Sequence, residues 1–434
     1  MTVPWRATDS VDKSVDDWRA LFRDRNVAWL WAGQVISQVG DGLSKMALLW
    51  FVYHLTGSAL KMTLIGILET LPPLILGPFI GVYLDRVSKR RAMIVIDLVR
   101  ACLLTLIPSF HTLGWLSLEW LYVLVFVIAL FSTAYGPALS SALPLLVDTQ
   151  HLTRVNALMQ SSMMIGQLLG PAASGILIAT IDAQNVLYVT AGAFALSALC
   201  KIPVQIPHQP GPSSRSGILN QAGQALMEGI RFVFVQNRLL LLLMIVASIF
   251  TLGSTGFIYL LPILGQQLLH ADAVALGWLW SSLSIGILVT TLWLLRKKQE
   301  GLCPRLWTLV TAALSGGAAV FLLPSSTSLI MAAGLIVVIG ASSGLVTPIV
   351  SASLQERTPK HLMARVFGVF NSGVMACAML GMTIFGWVAD TFGASASLFG
   401  IGAVHLAAAT VTAGLIPWCR RLSGTGAARQ GGSR

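Results

Sequence analysis

Five charged residues are clear cases inside the long apolar runs of this 434-residue sequence, all in its first half: Asp41, Lys45, Glu69, Asp97 and Arg100. A charge in such a run costs roughly 2.5–3.5 kcal/mol when the run enters a bilayer, so it is kept where it meets a partner, a cavity or a proton. Asp41 follows Arg25 by 16 residues and Glu69 precedes Asp85 by 16. At about 1.5 Å of rise per residue, each carboxylate then lies about 24 Å from a charged anchor at the inner end of its helix. Two carboxylates at one depth on neighbouring helices are a candidate proton-carrying pair, because a low-dielectric surround tunes carboxylates to exchange protons near neutral pH. Lys45 lies one turn after Asp41, and the plainer alternative is an intrahelical ion pair that only helps the segment insert. Asp97 and Arg100 begin less than three turns from the inner end of theirs. They are expected to pair with each other or snorkel, as a structural brace. His405, in the last apolar run, reads as a packed and satisfied histidine.

The segments that hold these groups follow from composition. With 55% apolar residues, 10% charged residues and 40 glycines, the chain has too little polar surface to coat a soluble globule. It reads as an integral membrane protein, in which glycine-rich helices are tolerated. A span needs about 20 mainly apolar residues. The windows between charged or turn-rich breaks predict twelve: Val27–Tyr53, Leu60–Leu84, Ala92–Thr112, Trp120–Val147, Asn156–Ile181, Val186–Val204, Leu239–Leu269, Val274–Leu295, Leu306–Leu323, Leu329–Leu354, Val366–Ala389 and Ser395–Trp418. The expected fold class is an all-α membrane protein with twelve transmembrane helices in two pseudo-symmetric six-helix bundles, 27–204 and 239–418. A cytoplasmic segment 1–26, a cytoplasmic linker 205–238 and a cytoplasmic tail 419–434 complete the chain.

Charge placement gives the sides. Of 28 Lys and Arg residues, Lys61 falls at a predicted outer end and Lys45 deep in a span, leaving 26 on or near the cytoplasmic side. Short loops rich in cations stay in the cytoplasm, so both termini are expected inside, and the formal charge of +11 is a topology signal with no nucleic-acid partner behind it. The cysteines at 102, 200, 303, 377 and 419 contain no close pair that suggests a metal site, and no disulfide is implied. Residues 1 to 26 lack the apolar core of a signal peptide. Ser14 and Asp17, followed by Trp18, Leu21 and Phe22, predict a short capped amphipathic helix at the membrane entry.

An internal repeat appears at an offset of 211 residues. Pro137, Ser140, Leu143, Arg154, Val155, Gly170 and Gly175 pair with Pro348, Ser351, Leu354, Arg365, Val366, Gly381 and Gly386. The densest charge lies in the loop Gly81-Val-Tyr-Leu-Asp85-Arg86-Val-Ser88-Lys89-Arg90-Arg91. It resembles the Gly-x-x-x-Asp-Arg-x-Gly-Arg-Arg signature between the second and third helices of the major facilitator superfamily, with Ser88 at the second glycine. In the fifth span, Gly166, Gly170, Pro171 and Gly175 resemble the Gly-x-x-x-Gly-Pro-x-x-Gly-Gly signature of the superfamily's antiporters, with Ser174 departing. Small residues there also remove bulk from one helix face, which generic packing explains equally. Gly40-Asp41, Thr56-Gly57-Ser58-Ala59, Pro72, Gly136-Pro137, Leu143-Pro144 and Asp97-Leu98-Val99-Arg100 are similar to the branch of macrolide-efflux proteins and the enterobactin exporter.

The resemblance implies a secondary exporter of a hydrophobic or amphipathic small molecule, such as a drug or macrolide, in exchange for protons at the bacterial plasma membrane. Asp41, Glu69 and Lys45 are the candidates for proton coupling, and the loop from Gly81 through Asp85, Arg86, Lys89, Arg90 and Arg91 would act as a cytoplasmic latch. A siderophore exporter and a lysophospholipid flippase are the alternatives within the class. Outside it stands a membrane receptor or scaffold that transports nothing. The sequence has no Gly-x-x-x-x-Gly-Lys-Ser/Thr or His-Glu-x-x-His motif, so neither ATP use nor an enzymatic activity is expected, and no cofactor is implied.

Overall fold

The computed structural model describes residues 24–84, 87–148, 151–207, 227–296 and 301–430. The expected amphipathic helix before residue 24, Asp85 and Arg86 of the basic loop, and residues 208–226 of the linker lie outside the described residues. Thirteen helices of at least twelve residues are described: α1 (Arg25–Thr56), α2 (Ala59–Leu84), α3 (Lys89–Thr112), α4 (Leu118–Ser132), α5 (Tyr135–Leu146), α6 (Leu152–Ile181), α7 (Ala183–Lys201), α8 (Arg238–Leu269), α9 (Ala273–Arg296), α10 (Leu302–Leu322), α11 (Leu329–Arg357), α12 (Met363–Phe392) and α13 (Ala394–Gln430). No strand occurs among the described residues. α4 and α5 are two pieces of one expected span, broken between Ser132 and Tyr135.

Eleven stretches are long and apolar enough to cross a membrane. α1 is not among them, although its 32 residues exceed what a span needs. Its middle carries Gln34, Ser37, Gln38, Asp41, Ser44 and Lys45, so polar side chains gather in the expected span that bears Asp41. The ends follow ordinary backbone chemistry. Ser117 and Ser328 cap α4 and α11 by accepting from Trp120 N at 3.4 Å and Met331 N at 3.2 Å. Asp182, at φ 67°, supplies the single left-handed residue that turns α6 directly into α7.

Packing divides the chain into two compact units. One holds the described parts of Met1–Leu43, Phe79–Gly170 and Leu187–Pro212; the other holds those of Ser44–Pro78, Pro171–Val186 and Ser213–Arg434. In the first, Leu30 of α1, Met93 and Ile96 of α3, Ala138 of α5 and Val155 of α6 share an apolar core. In the second, α8 and α10 to α13 share another, around Leu240, Leu309, Val350, Val366 and Ala408.

Burial of apolar side chains drives little helix association inside a bilayer, so close backbone approach must supply the packing. α1 meets α6 where Gly42 faces Gly166 and Gly170. A Cβ on Gly42 would come within 2.7 Å of Gly166 O and 2.8 Å of Gly170 Cα. In the second unit, a Cβ on Gly175 of α6 would come within 3.2 Å of Gly277 Cα on α9, and one on Gly386 of α12 within 3.2 Å of Leu60 Cα on α2. Gly175 and Gly386, which stand 211 residues apart in the sequence, each sit at a close helix crossing.

One expectation is corrected. Cys303, on the first turn of α10, is disulfide-bonded, whereas the spacing of the cysteines implied no disulfide. Such a bond requires Cα atoms within about 7 Å, a condition set by the fold and not by sequence separation.

Candidate functional site

The first unit places four charges in two pairs. Arg100 of α3 forms an ion pair with Asp41 of α1, in which the Asp41 side chain is 40% exposed and that of Arg100 only 7%. The Arg100 guanidinium also stacks on the Phe194 ring of α7, 3.8 Å from its centroid, a contact that favours a cation in desolvated surroundings. One turn back on α3, Asp97 pairs with Lys201 at the end of α7, and both side chains are fully buried. Asp97 and Arg100 therefore do not pair with each other, as the sequence reading allowed. They share one helix but reach in different directions, each to a partner on another helix.

Hydrogen bonds tie the deeper pair down. Ser197 Oγ lies 2.8 Å from Asp97 Oδ2, 2.6 Å from Lys201 Nζ and 2.8 Å from Gly33 O on α1. The Lys201 ammonium is 4.9 Å from the Tyr135 ring centroid, and Tyr135 Oη donates to Gln34 Oε1 at 2.6 Å. Tyr135 opens α5 just past the break in its span, so the break sets the ring between α1 and α7. Around these pairs, Ser37 Oγ, Asp97 Oδ1 and Arg100 Nε are buried with no hydrogen-bond partner among the described residues.

In the described part of the basic loop, Lys89 donates to Leu84 O and closes the turn between α2 and α3. Arg90 donates from Nε to Lys201 O at 3.3 Å and from Nη2 to Ile202 O. Arg91 is exposed. The loop arginine and the buried ion pair thus share one residue, Lys201.

The second unit gathers the other candidates. Lys45 of α1 sits over the Tyr259 ring of α8, 4.3 Å from its centroid, and Tyr259 Oη donates to Glu69 Oε2 of α2 at 2.7 Å. Gly66, one turn before Glu69, makes room for the ring: a Cβ there would come within 2.6 Å of Tyr259 Cζ. Asp41 and Glu69, expected as a pair, each have their own partner in a different unit. At one end of this unit Asp390 of α12 accepts from Ser58 Oγ and Ala59 N, each at 2.5 Å, and from Leu60 N at 3.0 Å, capping α2 from another helix. His405 is buried, with Nε2 3.0 Å from Ser254 Oγ and Nδ1 2.9 Å from Ile401 O, and it packs edge-on to Phe250.

Sequence reasoning does not single out Lys201, Tyr259 or Asp390 as site residues. Lys201 stands near the end of its span and reads there as one more cytoplasmic cation. The Ser197-x-x-x-Lys201 spacing, which puts a hydroxyl and an ammonium on one helix face, is the available signal.

Residues 30–382 match the family model described as the Major Facilitator Superfamily. The chain is similar to the multidrug efflux pump Tap of Mycolicibacterium fortuitum, at 28% identity over 370 residues, 83% of this chain and 88% of that protein. It is similar to macrolide efflux protein A of Streptococcus pyogenes at 26% identity over 379 residues, 84% and 89% of the two chains. Among solved structures, the peptide transporter POT in complex with sulfate superposes with a TM-score of 0.70 at 12% identity, over 92% of this chain and 95% of that one, a likeness of fold alone.

Proposed function

Because the chain belongs to the Major Facilitator Superfamily, we propose that it is a secondary exporter that carries a hydrophobic or amphipathic small molecule, of the drug or macrolide kind, out of the cytoplasm in exchange for protons. The names of the efflux relatives support the cargo class. Two six-helix halves, 27–204 and 239–418, with both termini cytoplasmic, would rock about a central site to give alternating access. The reading needs no ATP and places the protein in the bacterial inner membrane.

The observation that carries proton coupling is the Asp41 and Arg100 pair. Its carboxylate is partly open while its guanidinium is buried, so a proton can reach the acid and the cation cannot follow it out. Neutralising Asp41 leaves Arg100 without a counter-charge in a place where an uncompensated charge is strongly unfavourable. Loading a proton therefore changes the packing of α1 against α3 and α7. Glu69 and Lys45, joined through Tyr259, form a second polar seam whose state would follow the same cycle. The Asp85 loop is proposed as the cytoplasmic latch.

The test is efflux in everted membrane vesicles with an imposed pH gradient. Asp41→Asn is expected to abolish gradient-driven movement while the protein is still made and inserted. Unchanged gradient-driven efflux in that variant refutes the assignment.

A further inference from the structure

We propose that the buried pair of Asp97 and Lys201 is a second protonation station, and that Lys201 transmits its state to the basic loop through Arg90. The inference deepens the proton-exchange reading given above and rests on it.

Exposure falls along the chain of charges. Asp41 is partly open, Arg100 nearly closed, and Asp97 and Lys201 are fully buried. The two orphaned atoms on α3 are complementary: Asp97 Oδ1 accepts, Arg100 Nε donates, and the residues are three apart on one helix. Buried polar atoms without partners are rare and often mark a chemical role. A proton can be placed on Oδ1 without displacing Ser197 or Lys201 from Oδ2. One oxygen of the carboxylate is thus held and the other is bare.

Other groups facing Asp97 have no competing claim on it. Arg100 on its own helix is engaged with Asp41 on α1. Tyr135 on α5 lies within electrostatic reach of Asp97, Arg100 and Asp41 and is bonded to Gln34. α7 contributes Lys201, Ser197 and, next to Lys201, Cys200. The four charges of Asp41, Arg100, Asp97 and Lys201 sum to zero, so one added proton gives the cluster a net positive charge that has no buried counter-ion.

Lys201 carries the consequence outward. Its ammonium is held by Asp97 and Ser197, and its carbonyl, with that of Ile202, is held by Arg90 of the basic loop. When Asp97 takes a proton, Lys201 loses its counter-charge and the last turn of α7 repacks. Arg90, anchored on that turn, moves with it. Lys201 is a positioning residue that touches the proton site on one side and the loop on the other.

The experiment measures hydrogen–deuterium exchange of peptides spanning Leu84–Arg91, as a function of pH, in full-length protein in nanodiscs. The parent is expected to show a pH-dependent change in exchange. The double variant Asp97→Asn with Lys201→Met, which leaves no unpaired charge behind, is expected to keep parental thermal stability and lose that pH dependence. Lys201→Arg is expected to keep it. Ser197→Ala, a milder change, is expected to move the midpoint by about one pH unit, the scale on which a lost hydrogen bond to one protonation state is read. A pH-independent parent, a double variant with the parental profile, or no midpoint shift in Ser197→Ala if the double variant does not fold, overturns the proposal. Movement of ethidium in proteoliposomes under a pH gradient reports separately on the exporter reading. Parental exchange behaviour without such movement tells against that reading and not against the coupling of Lys201 to the loop.

Discussion

Tyr259 reaches from α8 to donate a 2.7 Å hydrogen bond to Glu69 on α2, with its ring under the Lys45 ammonium and over the bare backbone of Gly66. The phenol joins three helices through one side chain. Tyr259→Phe keeps the ring and removes the bond, at about 1.5–3 kcal/mol for a hydrogen bond to a carboxylate. Gly66→Ala forces the ring to move, at about 1–3 kcal/mol for overpacking. Thermal unfolding in detergent is expected to place both variants below the parent, and a parental midpoint for either would refute this account of the seam.

Removing one member of an ion pair costs more as burial increases. Lys201→Met leaves a fully buried Asp97 carboxylate, so a loss of about 3–5 kcal/mol is expected. Arg100→Met leaves Asp41, whose side chain is 40% exposed, and a smaller loss is expected. Chemical denaturation of the two variants gives the order.

Asp390 caps a helix that is 331 residues away in sequence. Loss of an N-cap costs about 1 kcal/mol, and Asp390→Ala is expected to lower stability by that amount. A cysteine placed at Leu60 is expected to react faster with an impermeant maleimide in that background than in the parent.

Arg305 and Glu356 make a bidentate contact, with both bonds at 2.6 Å, but the Glu356 side chain is 57% exposed. Good geometry in water-rich surroundings contributes little, and Glu356→Gln is expected to change stability by less than about 1 kcal/mol. The contrast with Lys201→Met tests whether burial, and not bond length, decides the energetics.

The helices were legible because an apolar run of span length cannot stay in water and, once in a bilayer, must satisfy its backbone within itself, and the expected spans correspond to the helices observed. Asp41, Lys45, Glu69, Asp97 and Arg100 were legible as candidates for the opposite reason: each is polar in an apolar run. Their partners were not. Asp97 and Arg100 sit three apart on one helix and look like a pair, yet their partners come from α7 and α1 across 104 and 59 residues of sequence. Lys201 was hidden by its position, since a lysine in the last turn of a span reads equally as snorkelling outward or turned inward. Tyr259 was hidden by its type, because a tyrosine in a membrane helix carries no charge to mark it.

The helix crossings at Gly175 and Gly386 are seams made of side chains that are missing. Neither junction has clearance for one methyl group, so an alanine at either place is a wedge. An alanine at either place blocks a close helix approach, so a chemist wanting to jam this machine has two places to insert the shim.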